Sequence, residues 1–258
     1  MTREVPSDGE TRVDMHVKIL DDRVVERAKA RGIDVLVYAP HFTRLPDIRA
    51  RASEYTDDEL LVVPAREVFT GSWRDRRHLL VVGLTDPVPD FITLDAAIAE
   101  CDRQDAAVLV PHPGLLNVSL GLDDVVRYRD HLVGVERYNA KCFPWQNAAM
   151  GRIVRETSLP VFGSSYAHLH STVGEAWTTF ETTIDDETDL VRALKTAAPR
   201  RVMHRPGLSH RLRGVLEFAH LGYENSWGKV DRLLLSGMEP THPDHIAYRG
   251  RFADSAVY

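Results

Sequence analysis

Seven short apolar runs, each four to eight residues long, alternate along the chain with stretches of helical spacing. The runs are Arg12 to Ile19, Ile33 to Tyr38, Leu60 to Val63, Arg77 to Leu84, Ala107 to Val110, Gly134 to Tyr138 and Pro160 to Gly163. Between and after them lie helix candidates Asp21 to Ala30, Leu45 to Tyr55, Thr93 to Gln104, Leu122 to His131, Trp145 to Glu156 and Asp185 to Ala197. Such alternation predicts an α/β chain built of βα units around a parallel sheet or barrel. Thr93 before Leu94 and Asp185 before its acidic turn are the expected helix caps. A closed barrel in its commonest form takes about 250 residues, and the chain has 258. After Pro199 the composition changes: Arg200 to Gly214 is basic, Val215 to Leu235 reads as helical with an interruption at Gly222 to Gly228, and Glu239 to Tyr258 is polar and turn-rich. The expected division is a barrel over 1–199 and a mainly helical extension over 200–258, the latter too short to bury its own core and therefore packed on the barrel.

Composition narrows the chemistry. No apolar run is long enough to cross a bilayer. The N-terminus, Met1 to Thr11, is polar and carries acids, unlike a secretion signal or a transit peptide, so a cytoplasmic location is expected. The only cysteines are Cys101 and Cys142, with no Cys-x-x-Cys pair, which removes disulfide frameworks, zinc ribbons and iron–sulfur sites. Any metal must be held by His and carboxylates. A net charge of −6 argues against a protein that wraps nucleic acid. Of 32 basic residues all but five are Arg, so a Lys in an unusual place is informative.

The 12 His residues are what needs explaining. His16, His41, Glu67, His78, His112 and His168 all fall at, or just after, predicted strands. In a parallel barrel the C-terminal strand ends converge on one cleft, so residues distant in sequence can share an ion. Imidazole and carboxylate together suit Zn, Mn or Fe, and a Glu can bridge two ions. Any one of these His, alone, reads as an ordinary hydrogen-bonded structural residue; six together do not.

These segments resemble the polymerase and histidinol phosphatase (PHP) family. His16-Val17-Lys18 looks like its opening His-x-His strand, Ala39-Pro40-His41 its Thr-Asp-His, and Val63-Pro64-Ala65-Arg66-Glu67 its Gly-x-Glu turn. His78-Leu79-Leu80 is similar to its following His strand, Val110-Pro111-His112-Pro113 to its His-Pro motif, and Val135-Glu136-Arg137-Tyr138-Asn139 to its Glu-x-Tyr-Asn strand. Ser165-Tyr166-Ala167-His168, with Val173-Gly174, sits where the family has Ser-Asp-Ala-His and Val-Gly. Order and spacing agree from about Arg12 to Gly174.

The resemblance implies a distorted seven-stranded (β/α) barrel, up to three metal ions and phosphoester hydrolysis by a metal-activated water. The first metal position corresponds to His16, Lys18, Glu67 and Tyr166, so two of its four ligands are lost here. The second, Glu67, His78 and His112, is complete. Of the third only His41 and His168 remain, and Pro40 replaces a supporting Asp. Alternate strand residues share a face, so Asp14, His16 and Lys18 should point one way. Lys18 would then neutralise Glu67 without Lewis acidity. Lys18 and Tyr166 are expected to replace the first ion, leaving one or two divalent ions rather than three. Lys18, Arg66, or an Arg among Arg74, Arg76 and Arg77 would bind a phosphate, although a loop Arg cluster also reads as plain solvated surface. Asp14, Glu136, Asn139 and Tyr166 would support the ligands.

His242-Pro243-Asp244-His245 reads as a turn, and Tyr223 and Trp227 as residues that pack the extension down. Phosphate-loop, dinucleotide and serine-hydrolase motifs are absent. The leading expectation is a metal-dependent hydrolase acting on a small phosphorylated metabolite or nucleotide, without membrane or nucleic-acid partners and with its oligomeric state open. The alternative is a barrel that has lost catalysis and serves as a binding, regulatory or RNA-associated scaffold. Lys18, Pro40 and Tyr166 speak for it, and for RNA only the basic stretch with His204, His210, Arg200, Arg201, Arg205, Arg211 and Arg213.

Overall fold

The computed structural model of the chain describes residues 9–72, 75–115, 118–207, 210 and 240–257. Nine strands make one sheet: β1 (Thr11–Val17), β2 (Val35–Tyr38), β3 (Leu61–Thr70), β4 (Arg77–Val82), β5 (Ala107–Val110), β6 (Gly134–Asn139), β7 (Val161–Ser164), β8 (Ala176–Phe180) and β9 (Arg200–His204). Their spatial order is β7-β6-β5-β4-β3-β2-β1-β8-β9. The helices are α1 (Asp22–Ala30), α2 (Leu45–Tyr55), α3 (Leu94–Arg103), α4 (Leu122–Arg127), α5 (Pro144–Thr157) and α6 (Glu187–Lys195). The seven apolar runs correspond to β1 to β7, so the expected seven-stranded barrel is corrected to a nine-stranded one. The additional β8 is rich in Thr and β9 carries two Arg, so neither has the apolar signature of a buried strand.

Parallel pairing holds for β1 with β2, β2 with β3, β5 with β6 and β6 with β7. By contrast, β4 lies antiparallel to both β3 and β5, and β8 to both β1 and β9. Only residues 71–76 join β3 to β4, too few for the crossover that parallel neighbours require. The long β3–β4 hairpin therefore brings the start of β4 to the barrel end where the parallel strands finish.

The sheet curls until its ends nearly meet. Gly163 of β7 donates its backbone N–H to Thr178 Oγ1 of β8 at 2.9 Å. Arg200 Nε of β9 donates to the Val161 carbonyl at 2.8 Å. A Cβ at Gly163 would stand 2.5 Å from Val202 Cγ1, so only glycine permits this approach of β7 to β9. Because β9 pairs with β8, the sheet runs past residue 199, where the extension was expected to begin. The helical expectation for Val215 to Leu235, with Tyr223 and Trp227, lies outside the described residues.

A buried apolar cluster fills the barrel from Val13, Met15, Val35, Val37, Val63, Ala65, Leu80, Val82, Leu109, Phe162 and Phe180. Leu190 and Leu194 of α6 close it at the end where β5 begins and β4 finishes. That helix is capped by Asp186, whose side chain accepts from Asp189 N, one residue later than the expected Asp185. Thr93 caps α3 as expected. A second cluster packs α3 and α4 outside the sheet and includes Tyr248 and Phe252. The C-terminal segment lies across this layer: Val257 N bonds the Phe91 carbonyl and Asp90 N bonds the Thr241 carbonyl.

Candidate metal centre

The barrel end opposite α6 gathers the predicted histidines around Glu67. This carboxylate lies within the long β3 rather than at a strand end, and it is fully buried. Its Oε1 stands 2.9 Å from His112 Nε2 and 3.3 Å from His78 Nδ1. Its Oε2 accepts from Lys18 Nζ at 2.5 Å and lies 3.1 Å from His41 Nδ1 and 3.9 Å from His16 Nε2. The five neighbours come from four places along the chain: His16 and Lys18 from the end of β1 and the residue after it, His41 from the loop after β2, His78 from the start of β4, and His112 from the loop after β5. A register shift in β1 between Asp14 and Val17 interrupts plain alternation there. Asp14 therefore serves elsewhere, accepting from Ser165 N at 2.9 Å and Gly174 N at 2.8 Å.

Glu67, His78 and His112 each offer one ligand atom, and the three atoms lie within 4.8 Å of one another. Neither ring nitrogen of His78 or of His16 has a hydrogen bond among the described residues. Buried polar atoms are rarely left so, and a cation between His78, His112 and Glu67 would give the His78 ring a partner. The donor set, two imidazoles and a carboxylate, is the one that Zn, Mn or Fe takes. The residues present fit a metal at this position.

Electrostatics agree. Burial alone would raise the Glu67 carboxyl, but the Lys18 ammonium and the surrounding imidazoles hold it well below its ordinary value. Burial lowers Lys18 to about 8 against the pull of Glu67. Burial, with Lys18 next in weight, brings His41 down to about 3. Burial brings His78 down to about 4 despite Glu67 and drives His16 well below the ordinary imidazole value. These rings are neutral at pH 7, the form in which a lone pair is free for a metal.

The supporting groups are in place. Ser119 Oγ bonds His112 Nδ1 at 2.7 Å, which turns Nε2 towards Glu67. Glu136 accepts from His112 N at 2.6 Å, Asn139 Nδ2 at 3.1 Å and Ser164 Oγ at 2.5 Å, so it fixes the backbone turn in which His112 takes a left-handed φ of 33°. Tyr166 shares that backbone region at φ 49°. Its ring lies 4.6 Å from His16 and 5.1 Å from His112 between centroids, and the Lys18 ammonium stands over it at 5.5 Å.

His41 and His168 form a separate pair, their Nε2 atoms 3.4 Å apart. Lys141, on the loop after β6, is 3% exposed and places Nζ 2.9 Å from His168 Nδ1 and 4.6 Å from the Tyr166 ring centre. Asn139 Oδ1 accepts from Lys141 N at 3.0 Å. Sequence reasoning missed Lys141 and Ser119. Lys141 carried a signal, as one of five lysines and two residues past a strand motif; Ser119 carried none.

Two expected phosphate binders are elsewhere. Arg66 is the strand neighbour of Glu67 and so faces the opposite side. Its guanidinium is buried against Asp90 at 3.0 Å and the Thr43 carbonyl at 2.7 Å. Arg77 is spent on Asp124 at 2.7 Å and Asp75 at 2.5 Å. Arg74, Arg211 and Arg213 lie outside the described residues. Of the basic stretch, Arg200 and Arg205 bond backbone carbonyls of the barrel, and His210 joins Glu175 at 2.7 Å and the Tyr138 hydroxyl at 2.8 Å. No helix among the described residues is long and apolar enough to cross a membrane.

Residues 144–199, from α5 through α6, match the family model PHP_C, described as PHP-associated. No curated protein matches the sequence. Among solved structures, the chain is similar to PsfC from Pseudomonas syringae PB-5123, at 17% identity and a TM-score of 0.61 over 83% of this chain and 99% of that one. A two-domain protein from Bacteroides vulgatus ATCC 8482, containing a predicted PHP-like metal-dependent phosphoesterase, gives 17% identity and a TM-score of 0.56 over 83% of this chain and 72% of that one. The lesion-specific endonuclease PfuEndoQ from Pyrococcus furiosus gives 14% and 0.54, over 75% of this chain and 58% of that one. At such identities the likeness is one of fold.

Proposed function

We propose that this chain, whose residues 144–199 match a PHP-associated family model and whose fold resembles that of a PHP-like protein, is a PHP-type metal-dependent hydrolase cleaving phosphoesters of a small metabolite or nucleotide. The observation that carries the reading is the buried group of Glu67, His78 and His112, with ligand atoms within 4.8 Å of one another. These three would hold one divalent ion, zinc, manganese or iron; His41 and His168 offer a partial second position. When bound, such an ion supplies Lewis acidity and lowers the pKa of a water. The chain's own residues do the rest. Ser119 and Glu136 hold His112 in its orientation. Lys18 replaces a cation beside Glu67, and its charge attracts an anionic ester. Tyr166 walls the group on the side of His16 and His112, which limits the water that can reach it.

A second reading, a scaffold without catalysis, is favoured by one observation: the Lys18–Glu67 ion pair at 2.5 Å occupies Oε2, the oxygen on the side of His16 that a further ion would use. The two readings separate on purified, metal-loaded protein offered a panel of phosphomonoesters and phosphodiesters. The hydrolase reading expects turnover that depends on added metal and falls more than about 100-fold in Glu67→Gln and His112→Ala. Protein that takes up metal neither from growth medium nor on titration, and turns over no ester, leaves the scaffold reading.

A further inference from the structure

We infer that Lys141 is a substrate-binding residue: its ammonium and that of Lys18 are two built-in cations that, with one metal ion, grip a tetrahedral oxyanion such as a phosphoryl group. The inference rests on the hydrolase reading above and names what that site recognises.

Lys141 stands on the loop after β6, at the barrel end where the strand termini converge, which is where such folds carry ligand contacts. Two hydrogen bonds aim this loop. Asn139 Oδ1 holds the Lys141 N–H at 3.0 Å, and Asn147 of α5 holds the Asn139 N–H at 2.8 Å. Lys141 is 3% exposed. Its ammonium touches His168 at 2.9 Å and stands over Tyr166 at 4.6 Å, and Lys18 stands over the same ring at 5.5 Å. Both ammonium groups thus stand near one ring, Lys18, which also bonds Glu67 and the Ala39 carbonyl, coming from the end of β1 and Lys141 from the β6–α5 loop, while the Glu67, His78 and His112 group comes from β3, β4 and the loop after β5.

Three sources of positive charge arranged on different sides select the shape of an anion. A carboxylate presents two oxygens in one plane. A phosphoryl group presents three oxygens in three directions beyond its ester bond, one for each cation. His41, the most open of the group with 27% of its side chain exposed, marks where that group would enter. The same placement bears on metal count. A divalent ion bound between His41 and His168 would sit beside the Lys141 ammonium, and like charges in a buried cleft repel strongly.

The test is phosphate binding at pH 7 by protein offered a divalent metal, followed by calorimetry and phosphorus NMR, alongside metal uptake by the same samples. Wild-type protein should bind one inorganic phosphate, with acetate at least about tenfold weaker. Lys141→Met should weaken phosphate binding about tenfold or more, and Lys141→Arg should keep it within about threefold. Lys141→Gln, which preserves a polar group, serves if the methionine variant does not fold, as judged by circular dichroism. Unchanged phosphate binding in a folded Lys141→Met or Lys141→Gln variant overturns the inference, as does wild-type protein that binds no phosphate or prefers acetate. If wild type also takes up metal, the hydrolase reading survives that failure. Loss of phosphate binding in the variant, with a wild type that takes up no metal, upholds Lys141 and removes the hydrolase reading instead.

Discussion

Glu67 is drawn in two directions, and the direction that wins decides what the buried histidines do. Burial favours its protonated form, yet the Lys18 ammonium at 2.5 Å keeps it ionised. That leaves His16, His41, His78 and His168 to be neutral, each held below its ordinary value chiefly by burial. A base whose folded pKa is depressed binds fewer protons in the native state than in the unfolded one, so stability falls as pH drops through the unfolded value near 6.5. Each such imidazole contributes a slope of up to ~1.4 kcal/mol per pH unit. Asp14 acts in the opposite sense: burial raises it to about 6, and its contribution to stability is lost as pH rises from 3.8 through that value. Burial raises Glu136 in the same sense, and these two carboxyls do not offset four imidazoles. Metal-free protein should therefore show a lower urea midpoint at pH 5.5 than at pH 7.5, with a smaller difference in His16→Gln. An equal or higher midpoint at pH 5.5 would mean that the histidines are protonated in the folded chain.

The elements that carry the site were legible where their pattern was local. The Val- and Leu-rich runs gave β1, β2, β4, β5, β6 and β7 nearly to the residue, because a buried strand needs little beyond an apolar run between turn signals. β3 was read to Val63 and runs to Thr70; Pro64 and the charged Arg66 and Glu67 hide its continuation, since their burial depends on Asp90 and Lys18 far along the chain. The antiparallel turn at β4 was invisible for the same reason, being set by a loop too short to cross over. β8 and β9 were missed because Thr178 is buried, and Arg200 half-buried, through specific partners, the β7 backbone and the Val161 carbonyl. The residues that gather around Glu67 were legible as a set, whereas Arg66 was misread because its facing depends on strand parity past a boundary the pattern did not show. Closure of the barrel can be tested at Gly163, where a methyl would meet Val202 at 2.5 Å. Gly163→Ala should cost about 1–3 kcal/mol, and adding Val202→Ala should recover most of that in a double-mutant cycle. Additive losses would show that β7 and β9 do not approach as described.

For the molecule as a whole, the scaffold and the site have been separated between the two ends of one barrel. Leu190 and Leu194 of α6 close one end with apolar side chains. The other end holds a buried polar group that no apolar packing could stabilise, and which native proteins keep only when every member is satisfied. The C-terminal segment adds Tyr248 and Phe252 to the outer layer and pairs through Asp90 with the Arg66 that precedes Glu67, so it buttresses β3 from behind. Around Glu67, both ring nitrogens of His16 and His78 and Nδ1 of His41 lack a hydrogen bond among the described residues, and a cation is assigned only to His78. Its central claim is a centre with one metal position, framed by Lys18 and Lys141. The most direct test is metal content by mass spectrometry on protein purified without tag or chelator, with an anomalous-scattering map of the same preparation. The account predicts one equivalent per chain, located between Glu67, His78 and His112. Metal density between His41 and His168 or beside His16 and Tyr166, or a folded protein that binds none when offered zinc, manganese or iron, would contradict it.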